Sequence, residues 1–292
     1  MGIKNDRAIP IVDGVVVLYN PAINVMKNIQ TYVSDLRILY VIDNSTRKNT
    51  TLISRLSNVE NVQYIDAKGN QGIAQGLNVG ADLAIKKQAD WLLTMDQDSS
   101  FSQGEATALL TQLSRINNKK NLGILSARQN VESLVISKRD GDNLIPQESV
   151  MTSGNLLNLT VYKTVGPFLN DYFIDCVDHE YCLRLKKYGY QVLMCMSIPL
   201  NHALGDIKSK KVFGRTVYFT NHSSIRRYYM TRNRLDMCFR YFLISPYFTA
   251  HELLKMCEEY VKIILFEDDK TKKTWATLKG IGHFLTRRFG KH

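Results

Sequence analysis

Four apolar runs rich in Val, Ile and Leu fall at IVDGVVVLY (11–19), ILYVIDNS (38–45), VQYID (62–66) and DWLLTMD (90–96). Stretches of helical periodicity separate them, to about Ser34, over 49–57 and from about Ile73 to Lys87. A further helix is predicted over 103–116, before a fifth run, NLGILSA. Apolar runs bounded by polar residues read as buried strands. Strands joined through helices pair in parallel, so the pattern predicts an α/β chain with a mostly parallel sheet flanked by helices. Such sheets bind ligands beyond the carboxyl ends of their strands. Asn20, Asp43, Asp66 and Asp96 stand at those ends.

Beyond residue 150 the pattern loosens. TSGNLLNL reads as a strand, alone or with a loop. VDHEYCLRLKKYGY reads as a helix over about 177–188, stopped by Gly189, and QVLMCMSI as another strand. Residues 207–222 are polar and read as loop; from 223 onward the chain reads as helical.

The 292 residues suffice for one large domain, or a catalytic domain with an appendage. No run approaches 18 uncharged apolar residues, so no membrane-spanning helix is expected. MGIKNDRAIP carries charge and has no apolar signal core, so secretion is not expected either. Five cysteines with no CxxC pair argue against a disulfide framework or a zinc ribbon, and fit a reducing cytosol. The net charge of +11 is uneven: residues 207–292 hold 18 Lys/Arg and 7 Asp/Glu, which accounts for all of it. Such asymmetry points to a polyanionic partner, whether nucleic acid, anionic lipid or a diphosphate, or is a solvated basic tail.

Several local patterns carry chemistry. In TMDQDSS, Asp96 and Asp98 follow a strand two residues apart, which suits a hard divalent cation bridging phosphate oxygens. The same residues also serve as a turn or helix cap. In GNQGIAQGLNVG, Gly69, Asn70 and Gly72 precede a helix, where backbone amides can approach a phosphate or sugar. Gly76 and Gly80, one helical turn apart, read as close-packing positions. No GxGxxG follows the first strand and no GxxxxGKS occurs, which disfavours a dinucleotide dehydrogenase and a P-loop NTPase. In FIDCVDHEYCLRL, Asp175, Asp178 and Glu180 cluster at a helix start, whose dipole favours ionised carboxylates that can accept a proton; ordinary capping is the alternative. His202 in NHALGD follows a strand and is either structural or a neutral imidazole ligand to the same metal. TNHSSIRRYYMTRNR places four arginines within nine residues, suited to phosphate.

Taken in order, VVVLYNP, VIDNST, GNQGIAQGLNVG, DWLLTMDQDS, TSGNLLNL, FIDCVDHEYCLRLKKYGY, HALGD and RRYYMTRN resemble glycosyltransferase family 2. Within it they are most similar to the bacterial rhamnosyltransferases of O-antigen and capsule assembly, over roughly residues 11–240. The resemblance implies a GT-A-type, Rossmann-like sheet in a catalytic domain over 1–222, with a basic helical region over 223–292 that associates with membrane or oligomerises. It implies that Tyr19, Asn20, Asp43, Gly69, Asn70, Gly72, Asp96 and Gln97 contact the nucleotide sugar, and that Arg226 and Arg232 take the diphosphate or a lipid-linked acceptor. Asp98 and His202 would hold Mn²⁺ or Mg²⁺. Asp178 falls at the position of the family's base, with Asp175, Glu180, Ser153, Gly154 and Asn155 supporting it or the acceptor. Val177 stands where the wider family has a Glu before that Asp. The implied reaction is inverting transfer of L-rhamnose from dTDP-β-L-rhamnose to a sugar hydroxyl of a lipid-linked polysaccharide precursor. The implied place is the cytoplasmic face of the plasma membrane.

The pocket motifs leave another donor open: UDP-glucose, UDP-galactose or a furanosyl nucleotide. A nucleic-acid-binding protein or a non-catalytic scaffold is a second alternative, but leaves the acidic clusters unexplained. Near the C-terminus, Leu253, Leu254, Cys257, Tyr260, Val261, Ile264 and Leu265 fall at helical spacing, which favours packing on the catalytic domain or an oligomer interface. Trp275, Leu278, Ile281, Leu285 and Phe289, beside Lys279, Arg287 and Arg288, favour an anionic membrane surface.

Overall fold

The computed structural model describes residues 9–130, 144–202, 207–212 and 215–292. Its main sheet begins with four parallel strands, β1 (Val12–Leu18), β2 (Leu39–Asp43), β3 (Val62–Asp66) and β4 (Trp91–Asp96), in the order β3-β2-β1-β4. The sheet continues through the antiparallel β8 (Asn155–Asn158) to β6 (Leu122–Asn130), β9 (Gln191–His202) and β5 (Ser99–Phe101). A short β7 (Leu144–Pro146) pairs with β9.

β1 shows why the sheet is covered on both faces. Val15 and Val17 point into a core with Leu77 and Ala81 of α3 (Ile73–Lys86), α5 (Leu159–Val165) and α6 (Val177–Lys187). Val16 and Leu18 point the other way, into a core with α1 (Val25–Gln30), α2 (Thr50–Ser57) and α4 (Glu105–Arg115). A strand buried on both faces reads as a near-continuous apolar run, broken in β1 by Gly14 and by Asp13, whose buried carboxylate pairs with Arg37 at 2.9 Å. Met237, Cys238 and Tyr241 of α7 (Ser224–Tyr241) join the first core, so α7 packs directly on the sheet domain.

The glycines of α3 let it lie close on β1. A Cβ at Gly76 would stand 2.7 Å from Val17 Cγ2, and one at Gly80 closer still to Val15. Gly80→Ala gains about 1 kcal/mol of helix propensity but overpacks a rigid Val–helix contact at up to about 3 kcal/mol. A net loss of about 1–2 kcal/mol is expected, read by urea denaturation.

The polar stretch 207–222 is not loop. It forms a hairpin, β10 (Ile207–Val212) against β11 (Arg215–Thr220). Thr, Val, Tyr and Phe in β11 favour extended backbone despite the surrounding lysines. Phe219 anchors the hairpin, stacking at 5.8 Å on Phe266 at the end of α8 (Pro246–Phe266). In α8, Leu253 packs against the first core, whereas Leu254, Val261 and Leu265 are more than half exposed, so packing within the chain covers only part of that stripe. In α9 (Lys270–Leu285), Trp275, Leu278 and Leu285 are likewise exposed. Among the described residues, no helix is long and apolar enough to cross a membrane.

Candidate active site

The carboxyl end of β4 is the centre of the site. After Asp96 the chain turns through Gln97 and Asp98 into β5, whose Ser99 lies in register with His202 at the end of β9. That pairing brings two distant segments together. Ser99 Oγ is 2.7 Å and Asp98 Oδ1 3.5 Å from His202 Nδ1, and ligand atoms of Asp96, Asp98 and His202 all lie within 4.8 Å of one another. Ala203 to Asp206 of the HALGD motif lie outside the described residues. Burial, reinforced by the Asp98 and Asp178 carboxylates, pushes the Asp96 carboxyl up to about 7, while Arg226 pulls it down. Like charges gathered in this way favour a proton or a cation between them.

The second half of the site is the loop before α6. Phe173, Asp175 and Cys176 all adopt positive φ, at 57°, 65° and 62°. Three such residues in four store backbone strain, which clusters at functional sites. Asn233, buried in α7, holds the strained turn. Its Nδ2 donates to the carbonyls of Tyr172 and Ile174 at 2.8 Å each and of Asp175 at 3.1 Å. The turn aims Asp175 at Arg226, whose Nη2 donates at 3.0 Å. It also starts α6 so that Asp178 lines a small cavity with Thr94 and Asn155 behind the Asp96 cluster. Burial holds the Asp175 carboxyl above its ordinary range, against the pull of Arg226. Ser153 Oγ accepts the Asp96 amide at 3.0 Å, and Gly154, at φ 77°, turns the chain into β8.

Beside these carboxylates opens a pocket of about 450 Å³, within the range that holds a nucleotide-sized ligand. Tyr19, Asn70, Gly72, Gln97 and Arg226 line it, as the motifs predict, and so do Phe173, Tyr229 and His292, which they did not. Gln97 also ties the ends of β1 and β4 together: its Oε1 accepts Tyr19 N–H at 2.9 Å. Asn20, at φ 47°, donates its amide to Ser45 Oγ at 2.7 Å. Gly69 adopts φ 107° with open space at its Cβ position. The amides of Gly72 and Ile73 turn to protein partners, Asn70 Oδ1 at 3.0 Å and Phe173 O at 2.8 Å.

Three residues sit differently from what the motifs suggest. Asp43 is buried beneath the pocket wall, accepting from Ser45 N–H at 2.8 Å and Tyr64 O–H at 2.7 Å, and it is Asn44 that lines the pocket. Glu180 is 1% exposed and faces α7, taking Tyr241 O–H at 2.6 Å and Arg184 at 2.8 Å. Arg232 is fully buried, donating to Asp171 O and Gly290 O at 2.8 Å each, with its guanidinium 5.1 Å from the Tyr229 ring centroid. Arg232→Met removes two charge-assisted hydrogen bonds, worth about 1.5–3 kcal/mol each, and leaves Gly290 O without its donor. A stability loss of about 3 kcal/mol or more is therefore expected on chemical denaturation.

Residues 20–139 match the model for glycosyl transferase family 2. The dTDP-rhamnosyl transferase RfbF of Shigella flexneri is 31% identical over 234 residues, which span 75% of this chain and 77% of that protein. The chain belongs to glycosyltransferase family 2. The hexosyltransferase Agl10 of low-salt glycan biosynthesis in Haloferax volcanii is 20% identical over 61% of this chain and 62% of its own length. Among solved structures, Staphylococcus aureus TarS 1–349 in complex with UDP-GlcNAc shares the fold at a TM-score of 0.52 and 13% identity. The alignment covers 94% of this glycosyltransferase and 81% of TarS 1–349. GalNAc-T7 with UDP, GalNAc and Mn²⁺ shares it at 0.56 and 12% identity, over 72% of this chain and 45% of that one.

Proposed function

We propose that this glycosyltransferase moves L-rhamnose from dTDP-β-L-rhamnose to a sugar hydroxyl of a lipid-linked cell-surface polysaccharide precursor, with inversion. The carrying observation is the convergence of Asp96, Asp98 and His202 beside the Arg226-lined pocket and Asp178. The activity of its relative RfbF, a dTDP-rhamnosyl transferase, supports rhamnose as the sugar.

The donor set suits Mn²⁺ or Mg²⁺: two carboxylates and an imidazole converge from two strands, and the raised Asp96 carboxyl marks negative charge that a cation relieves. Asp98 and His202 would hold that cation, with Asp96 completing the set or facing the sugar. When bound, a divalent cation neutralises charge on a departing nucleoside diphosphate. Arg226, oriented by Asp175, lines the same pocket and would take the diphosphate there. Tyr19, Asn70, Gly72 and Gln97 enclose the nucleotide. Asp178 accepts the proton of the acceptor hydroxyl as that oxygen bonds to the anomeric carbon. The anomeric C–O bond breaks at the opposite face, its electron pair leaving on the diphosphate, so a β-linked donor gives an α-rhamnoside. Ser153, Gly154 and Asn155 fix the wall against which the base sits.

The apolar and basic face of α9, with exposed Trp275, Leu278 and Lys272, is the surface proposed to rest on the inner face of the plasma membrane. In this division of labour, residues 1–222 carry most of the donor chemistry, Arg226 of α7 joins them at the pocket, and α9 makes the membrane contact.

The test is transfer to a synthetic lipid diphosphate-linked sugar, with the anomeric configuration of the product read by NMR. An α-L-rhamnoside supports the reading. A β-linked product rejects inversion, and transfer only from a UDP-sugar rejects rhamnose.

A further inference from the structure

After α9 the chain doubles back. Arg287 and Gly290 take positive φ, at 55° and 88°, and the segment 288–292 brings His292 to the lining of the donor pocket. Its placement is fixed at three points. Gly290 N–H donates to Asp171 O at 2.9 Å. Gly290 O accepts from Arg232 at 2.8 Å, and the Phe289 ring centroid lies 5.3 Å from the same guanidinium. His292 N–H donates to Tyr229 O–H at 2.8 Å. Arg232 gives its other terminal nitrogen to Asp171 O, on the loop that leads to the strained turn. A fully buried guanidinium bonded to carbonyls and aromatic faces is a costly group. Here it joins the loop before α6, which carries Asp175, to the returning segment.

The segment brings one side chain into the pocket lining and a second against two of its lining residues. His292 lines it, together with Tyr19, Asn70 and Arg226. Lys291 Nζ donates to Asn70 O at 2.8 Å and lies 5.8 Å from the centroid of Phe173, another lining residue. An ammonium has three donors, so two remain for a ligand. The charge balance calls for such a group. Asp96, Asp98 and Asp178 concentrate negative charge beside the pocket, and Arg226 is the one cationic side chain among the pocket-lining residues described.

We propose that Lys291 and His292 are donor-site residues, and that segment 288–292 is a wall of the pocket whose lysine takes the phosphates of a nucleoside diphosphate. The proposal rests on the nucleotide-sugar reading above and adds to it a part of the site that no family motif marks. Both side chains are exposed, so replacing them leaves the core intact.

The experiment titrates dTDP, with Mn²⁺, into the full chain, into the Lys291→Ala/His292→Ala double variant and into Lys291→Arg. Loss of a charge-assisted contact weakens binding by about tenfold or more in the double variant, at an unchanged melting temperature. Lys291→Arg keeps affinity within a few-fold, because the charge survives. Equal binding by wild type and double variant overturns the assignment while leaving the donor reading intact. A wild-type chain that binds no nucleoside diphosphate overturns both.

Discussion

Asp178→Asn lowers the turnover number for sugar transfer by about a thousandfold, with donor affinity changed only a few-fold. The replacement is isosteric but cannot accept the acceptor's proton, and general-base catalysis contributes about 10²–10⁴ in rate. Fold and donor site survive, because the replacement keeps the shape of a side chain that stands at the start of α6 at the edge of the first core, 22% exposed, and still accepts the adjacent His179 amide at 2.8 Å. Steady-state kinetics combined with a dTDP titration separates the two effects. A variant that retains full turnover removes Asp178 from the chemistry and shifts attention to Asp175, which Arg226 already occupies.

Asp98→Asn produces a loss of at least the same size by a different route. Its side chain is 47% exposed and contributes little to stability, yet it stands 3.5 Å from His202 in the one acidic–imidazole cluster found among the described residues. Removing that charge weakens cation binding and, with it, the several kcal/mol of leaving-group stabilisation a divalent ion provides. The expected signature is joint: Mn²⁺ affinity measured by calorimetry and the rate of transfer fall together, while the melting temperature stays put. Transfer that persists without a measurable drop in Mn²⁺ affinity contradicts the assignment of Asp98.

The two variants probe features that the sequence revealed to different degrees. β1 to β4 and α3 were legible because each is a long apolar or periodic run, and Asp96 and Asp98 because they end one of them. β5 and β7 were not, since three residues carry no periodicity. Yet β5 is the element whose pairing with β9 brings His202 to Asp98. The RRYYMTRN motif was readable as basic, but its charge does two separate jobs that only packing distinguishes: Arg226 faces the pocket, whereas Arg232 is buried. Asn233 was overlooked. Its signal was present, an asparagine in a helix interior where its side chain competes with the backbone, but nothing local told which carbonyls it would clamp. His292 and Lys291 escaped motif reading altogether, because their place at the pocket depends on a chain reversal at Arg287 and Gly290.

The most direct test of the central claim is a donor panel. The protein is incubated with Mn²⁺ and dTDP-, UDP- or GDP-sugars, with and without a lipid diphosphate-linked acceptor, and released nucleoside diphosphate is measured. Release from dTDP-rhamnose, stimulated by acceptor and abolished by EDTA, is the predicted result. Release from a different donor contradicts the assignment of rhamnose. Turnover undiminished by EDTA contradicts the role given to Asp98 and His202, and release from no nucleotide sugar contradicts the account as a whole.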